Sequence, residues 1–310
     1  MRILLLGCTG FIGQALIPKL LEDGHDLCIV SRRNIDKLHW KIKKDKISFI
    51  KSDLSTENAW KDIHIIKQLK SCNGIVNLTG EPIADKRWNK KQKLEIKKSR
   101  IKTTSLLMET LKNLKINPNV IVNASAIGFY GTSLTKEFTE NSPSGDDFLA
   151  NLCKSWELEA KQKPRFTRIV ILRIGIVLNA EGGALGKMLP LFKLGLGGPI
   201  GNGNQWMSWI HRKDLCDLIA KILINKRFSG TYNAVAPEPV TMKVFSKLLA
   251  ECLRRPNLVP VPGVPLKIFL GEGAKLVLEG QKVITKRLSS NLFRFQYPLL
   301  KQALDAETKK

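Results

Sequence analysis

Residues 4–13 read Leu4-Leu5-Leu6-Gly7-Cys8-Thr9-Gly10-Phe11-Ile12-Gly13, an apolar run leading straight into three glycines at every third position. Leu16, Ile17, Leu20 and Leu21 follow at helical spacing, so the stretch reads as strand, tight turn and helix. Each glycine has its own physical reason. Gly7 lets the chain turn off the strand, Gly10 omits a Cβ where a pyrophosphate would approach, and Gly13 lets the helix pack closely on the sheet. The N–H groups and positive dipole end of that helix then suit phosphates. The expectation is a dinucleotide site formed by Gly7, Thr9, Gly10, Phe11, Ile12 and Gly13; the alternative is a structural turn. Pro18 lies inside the helical pattern and predicts a kink.

The next apolar run, Asp26-Leu27-Cys28-Ile29-Val30, ends in Ser31-Arg32-Arg33. A site for the unphosphorylated dinucleotide places Asp or Glu there to accept from the ribose 2′-hydroxyl. Ser31, Arg32 and Arg33 suit a 2′-phosphate instead, and no carboxylate stands at that position to repel it. The expected cofactor is therefore NADP(H). The alternative is that both arginines solvate a loop.

A chain of 310 residues with 43% hydrophobic content can bury a full α/β core and a smaller lobe. No apolar run reaches membrane-spanning length, and the opening apolar run reads as the first strand, not a cleavable leader. Cys8, Cys28, Cys72, Cys153, Cys216 and Cys252 show no C-x-x-C pairing, so they read as reduced thiols of a cytoplasmic protein, not as disulfides or metal ligands. The net charge of +24 invites a nucleic-acid partner, but the lysines are spread along the chain with no stacking-aromatic motif. Specific nucleic-acid binding is not expected; weak, salt-sensitive attraction is.

Strands and helices alternate through the first half. Ile47–Ile50, Gly74–Leu78, Val120–Ala124 and Arg168–Arg173 read as further strands, and Gly230–Val235 as a last one. A long basic helix is expected from Lys90 to Leu114, with Leu94, Ile101, Leu107, Met108, Leu111 and Leu114 inward, stopped by Asn117-Pro118. Continuous apolar runs joined by helices predict an α/β fold: a doubly wound parallel Rossmann-type sheet buried on both faces. The expected division is a dinucleotide-binding domain over 1–235, with a glycine-rich insertion at about 179–209, and a small C-terminal lobe over 236–310. The substrate, a small molecule, would lie in the cleft between them.

Several blocks then carry a resemblance. They are Asn77-Leu78-Thr79-Gly80-Glu81-Pro82-Ile83, Arg87-Trp88, Ser99-Arg100, Ser125-Ala126-Ile127-Gly128-Phe129-Tyr130-Gly131, Asp147-Phe148-Leu149 and Trp156-Glu157. Later come Gln205-Trp206-Met207-Ser208-Trp209-Ile210-His211, Ala236-Pro237-Glu238-Pro239-Val240 and Leu278-Glu279-Gly280-Gln281. Over nearly its whole length the chain resembles the atypical short-chain dehydrogenase/reductases called epimerase family proteins. These are similar to NAD-dependent epimerases and dehydratases and end in a characteristic small domain. Their glycine spacing, Gly-x-x-Gly-x-x-Gly, is the one found here. The resemblance adds Asp53, Leu54, Leu78, Thr79 and Gly80 to the expected cofactor set, with Asp53 at the adenine edge.

The same resemblance exposes a gap. The superfamily's reductases use a Tyr-x-x-x-Lys pair, with an upstream Ser or Thr, to exchange a proton with the substrate oxygen. Matching Trp156-Glu157 to the end of that helix puts Leu149 at the tyrosine position and Cys153 at the lysine position, with Ser125 as the serine. Arg100 falls where an Asn usually supports the relay. The remaining catalytic candidates are Ser125, Cys153, Tyr130, Arg100 and His211; for each a structural role is the competing reading. Glu157 and Arg173 read as an ion pair or as helix-capping partners, not as catalysts. Two functions follow. One is an oxidoreductase or epimerase-like enzyme on a small carbonyl or hydroxyl compound. The other is a non-catalytic NADP(H) sensor acting through a protein partner, in keeping with the cell-division inhibitor names some such proteins carry.

Overall fold

Alternate residues of the first strand enter different cores. In β1 (Arg2–Leu6), Ile3 and Leu5 pack on one face of the sheet, and Leu4 and Leu6 on the other. The same alternation runs through β2 (Asp26–Ser31), where Leu27 and Ile29 oppose Cys28 and Val30. A strand buried on both faces has no polar side, which is why these runs are continuously apolar. The first face is covered by α1 (Gly13–Glu22) through Leu16, Ile17 and Leu20. The second is covered by α2 (Ile63–Ser71) through Ile65 and Leu69. Full burial of each such side chain contributes about 1.5–3 kcal/mol.

With β3 (Ile47–Lys51), β4 (Gly74–Asn77), β5 (Val120–Ala126), β6 (Arg168–Ile174) and β7 (Gly230–Ala234), the sheet has seven strands, all parallel. Their order is β7-β6-β5-β4-β1-β2-β3. The chain winds outward from β1 in one direction, then from β4 in the other. A crevice therefore opens at the carboxyl ends of β1 and β4, the switch point where such folds take ligands. The fold is the doubly wound parallel one expected, with a smaller C-terminal part. The structure, a computed structural model, describes residues 1–33, 44–257, 260–289 and 293–309. Among these, no helix is long and apolar enough to cross a membrane.

Two features differ from expectation. The long basic helix is interrupted: α3 (Lys90–Lys97) passes through a π-helical turn, Lys98–Lys102, into α4 (Thr103–Asn113). The wider turn rotates the upstream face, so Gln92 and Ile96 point inward while Leu94 is 62% exposed. Leu114 is also exposed, because the helix ends at Asn113 and the chain reverses through Lys115 at φ 53°. The glycine-rich stretch contains α6 (Gly183–Lys193), which buries Leu185, Leu189 and Phe192 despite Gly186 and Pro190. α1 has Pro18 inside it, at the place the sequence marks for a kink.

α6 shares an apolar core with Met207, Trp209, α8 (Met242–Leu253) and the C-terminal helix Leu300–Thr308. The Trp206–His211 block ties this part together. Gln205 donates to the carbonyls of Ile200 and Val277, and Ser208 donates to that of Gln281. A Cβ on Gly280 would stand 2.0 Å from the Trp206 carbonyl oxygen, so that turn admits glycine alone.

Candidate functional site

At the crevice, each glycine of the opening motif meets a different neighbour. Gly7 has φ +71°, and a Cβ on it would lie 2.7 Å from Thr79 Cα, so β1 and β4 end in direct backbone contact. A Cβ on Gly13 would lie 1.9 Å from the Cys8 carbonyl oxygen, so the helix start packs on the turn itself. A Cβ on Gly10 would meet nothing within 4 Å. Above Gly10 there is open space. α1 begins beside it with no side-chain cap and no acidic residue in its first turn. A helix start left in this form suits an anion.

The cleft over Gly7, Thr9 and Gly10 is continued by Ser31, Arg32 and Arg33 from the end of β2. Asp53 and Leu54 follow from beyond β3, and Thr79 and Gly80 from beyond β4. These ten expected cofactor residues come from four separate strand ends to one wall. The other four have different places. Ile12 and Leu78 pack against the apolar core, Gly13 serves helix packing, and Phe11 lies against Gly182 and Gly183 beneath the Arg212 guanidinium. Ser52, Ser55, Glu81, Pro82, Glu95, Ser99 and Thr103 also line the cleft without having been expected there. Those on α3, the π turn and α4 carried no sequence signal, because only the wide turn aims them at the opening.

Hydrogen bonds fix the polar edge. Thr9 and Ser31 share a hydroxyl bond of 2.8 Å, and the Arg33 N–H donates to Ser31 Oγ at 3.2 Å. Asp53 accepts from both the N–H and the hydroxyl of Ser55. Burial pushes the Asp53 carboxyl up, but those bonds and the charges of Arg32 and Lys98 prevail, so its pKa is lowered. The end of β2 carries no carboxylate, as expected, but one reaches Arg32 from beyond β4. Glu81 Oε2 lies 3.2 Å from Arg32 Nη2, and Glu81 Oε1 lies 3.1 Å from Lys86 Nζ. Glu81 sits 49 positions beyond Arg32 in sequence, so no local pattern reveals the pair.

Deeper, at the ends of β5 and β6, lies a buried polar cluster. Ser125 Oγ donates to Glu157 Oε1 at 2.8 Å; Glu157 stands on α5 (Phe148–Lys161). Arg173 donates to both Glu157 oxygens and to Tyr130 Oη, which itself donates to Asn233 Oδ1 at 2.6 Å. The Glu157–Arg173 ion pair is thus observed.

Of the catalytic candidates, Ser125 and Cys153 share a hydrogen bond with the Arg100 charge close by, Tyr130 joins Ser125 through Arg173 and Glu157, and His211 stands apart against Glu307 and Lys213. Tyr130 is 3% exposed, as Ser125 is, with its hydroxyl bonded on both sides, and burial raises its pKa. The Cys153 thiol is pushed by burial up to about 11, with Glu157 adding to the rise. Arg100 and the Ser125 hydrogen bond lower it but do not reverse the shift, so the thiol stays protonated at neutral pH. Arg100 donates to the Glu81 and Ile96 carbonyls, and burial beneath Gly80 lowers it to about 10. It braces the wall of the cleft. His211 caps α7 (Arg212–Ile224) by accepting from the Lys213 N–H, and its other ring nitrogen meets Glu307 at 3.0 Å. With both nitrogens engaged at 4% exposure, His211 ties helices together and has no free nitrogen for catalysis. Ser125 alone of the five retains a hydroxyl backed by a carboxylate. Among the described residues, no group of three or more His, Cys, Asp or Glu is placed to hold a metal ion.

Comparison with known proteins agrees with this arrangement. The family model described as the NAD dependent epimerase/dehydratase family matches residues 3–235, and one described as a domain of unknown function, DUF1731, matches 261–307. The Arabidopsis thaliana protein named epimerase family protein SDR39U1 homolog, chloroplastic, is 41% identical over 308 residues, covering 99% of this chain and 86% of that protein. A crystal structure of human epimerase family protein SDR39U1 (isoform2) with NADPH has a TM-score of 0.86 at 34% identity, covering 100% of both chains. A nucleoside-diphosphate sugar epimerase from Corynebacterium glutamicum gives 0.75 at 28% identity, covering 99% of this chain and 58% of that one. The chain belongs to the NAD dependent epimerase/dehydratase family.

Proposed function

We propose that this protein binds NADPH in the crevice and acts as an oxidoreductase or epimerase-like enzyme on a small carbonyl or hydroxyl compound. The observation that carries the reading is the open space over Gly10, beside an uncapped helix start and opposite Ser31, Arg32 and Arg33. The human relative crystallised with NADPH supports the phosphorylated form. Gly7, Thr9 and Gly10 would take the pyrophosphate, Arg32 and Arg33 the 2′-phosphate, and Asp53 with Leu54 the adenine. When bound, the nicotinamide supplies or accepts a hydride.

The chain's own contribution would be Ser125. Its hydroxyl would hold the substrate oxygen and relay a proton along its bond with Glu157 Oε1, toward that oxygen when NADPH gives up a hydride and toward Glu157 in the reverse reaction, with Arg173 keeping Glu157 oriented. Substrate would enter between the strand ends of the 1–235 domain and a lobe made of residues 236–310 with part of the glycine-rich segment. All six thiols are free and five are buried, which suits a reducing compartment such as the cytoplasm. The basic surface would attract polyanions without sequence preference.

One observation favours the non-catalytic sensor instead. Arg173 holds both oxygens of Glu157 in an ion pair, and burial raises the pKa of Tyr130 and Cys153, so neither gives up its proton readily at neutral pH. Turnover separates the two readings. An enzyme oxidises NADPH with a member of a carbonyl or sugar-nucleotide panel, and Ser125→Ala slows it about a hundredfold or more. Tight NADPH binding with no turnover across the panel contradicts the enzyme and leaves the sensor.

A further inference from the structure

Building on the dinucleotide reading of the crevice, we propose that Glu81 sets the choice between phosphorylated and unphosphorylated nicotinamide dinucleotides. It does so by pairing with Arg32 across the cleft mouth and by offering the same carboxylate to a ribose 2′-hydroxyl. Folds of this kind that take the unphosphorylated form supply the acidic acceptor from the end of β2. Here that end carries Ser31, Arg32 and Arg33, and the carboxylate arrives from beyond β4.

The position of Glu81 is built, not incidental. Its N–H donates to Ser99 Oγ at 2.9 Å, and its carbonyl accepts from Arg100 at 3.0 Å, so the π turn pins its main chain on both sides. Gly80 makes this approach feasible, since a Cβ there would lie 2.8 Å from the Arg100 guanidinium. The Glu81 side chain is 17% exposed and that of Arg32 is 53% exposed. The carboxylate is therefore the fixed partner and the guanidinium the movable one. Burial pushes the Glu81 carboxyl up, yet Lys86 and Arg32 hold it below the usual range, so it is ionised at neutral pH.

Two outcomes follow from that geometry. A 2′-phosphate must draw Arg32 away from Glu81 and place its charge near a carboxylate that only Lys86 then neutralises. That weakens the preference the two arginines alone would give. A 2′-hydroxyl meets an acceptor-only group within reach and leaves the ion pair in place. Glu81 thus penalises the phosphorylated form and favours the other.

Calorimetric titration of the full chain with NADPH and NADH tests this, with adenosine 2′,5′-bisphosphate and 5′-AMP as fragments of the same end. Glu81→Gln keeps the shape and removes the charge. It should tighten NADPH, weaken NADH, and raise the ratio of their affinities about tenfold or more, with the fragments following. Lys86→Gln, at a side chain 64% exposed, should move NADPH the opposite way by about threefold and leave NADH unchanged. An unaltered ratio in both variants overturns the role of Glu81 while the dinucleotide reading stands. A wild-type chain that binds neither dinucleotide overturns both.

Discussion

Arg173 holds Glu157 by two parallel bonds, Nε to Oε1 at 2.8 Å and Nη2 to Oε2 at 2.9 Å, with side chains 5% and 2% exposed. Phe129 lies under the same guanidinium, its ring centre 3.4 Å away. Removing one member leaves a buried charge without its partner. Glu157→Ala should therefore cost about 3–5 kcal/mol of stability by urea denaturation. A loss below about 1 kcal/mol would show that water reaches the pair.

The motif glycines should separate folding from binding. Gly13→Ala drives a methyl into the Cys8 carbonyl and should destabilise the fold by more than about 2 kcal/mol. Gly10→Ala meets only open space, so stability should stay within about 0.5 kcal/mol while NADPH affinity falls about tenfold or more. Denaturation and titration of both variants check the contrast. If Gly10→Ala binds NADPH as wild type does, the phosphates do not pass over Gly10.

The buried thiols give a pH dependence with a defined sign. Burial raises Cys8, Cys153 and Cys216 above the ordinary 9.0, Cys153 to about 11 and Cys216 to about 12. Above pH 9 the unfolded chain loses these protons first, so stability falls as pH rises from there toward the folded values. Each thiol steepens the fall by about 1.4 kcal/mol per pH unit. Cys216→Ala should flatten part of the decline in melting temperature under reducing conditions. An unchanged slope would mean that the thiol already ionises when folded.

His211 should prove structural. It caps α7, meets Glu307 and lies 4.0 Å from the Tyr297 ring centre. His211→Ala should lower stability by about 1–2 kcal/mol and leave NADPH affinity unchanged. A selective loss of binding or turnover in a fully stable variant would return it to the site.

What the sequence made legible follows from what is local. Leu4, Leu5 and Leu6 announce a strand buried on both faces, and the glycine spacing announces its turn, because each depends on a few neighbouring residues. α6 was hidden by Gly183, Gly186 and Pro190, although Leu185, Leu189 and Phe192 record its inward face. Glu81 was illegible as a cleft residue because its partner Arg32 lies beyond the end of another strand, 49 positions away. The burial of Tyr130 and His211 depends on Asn233 and Glu307, which only the tertiary fold brings beside them. A reactive histidine and a capping one look alike until the far partner is in place.

The most direct measurement is the melting temperature of the full chain titrated with NADPH. At about a hundred times its dissociation constant, the ligand should add about 2.7 kcal/mol of stability. Gly10→Ala should shift that titration to higher concentration. Unchanged melting with both NADPH and NADH at millimolar concentration would contradict a dinucleotide seated where α1 begins.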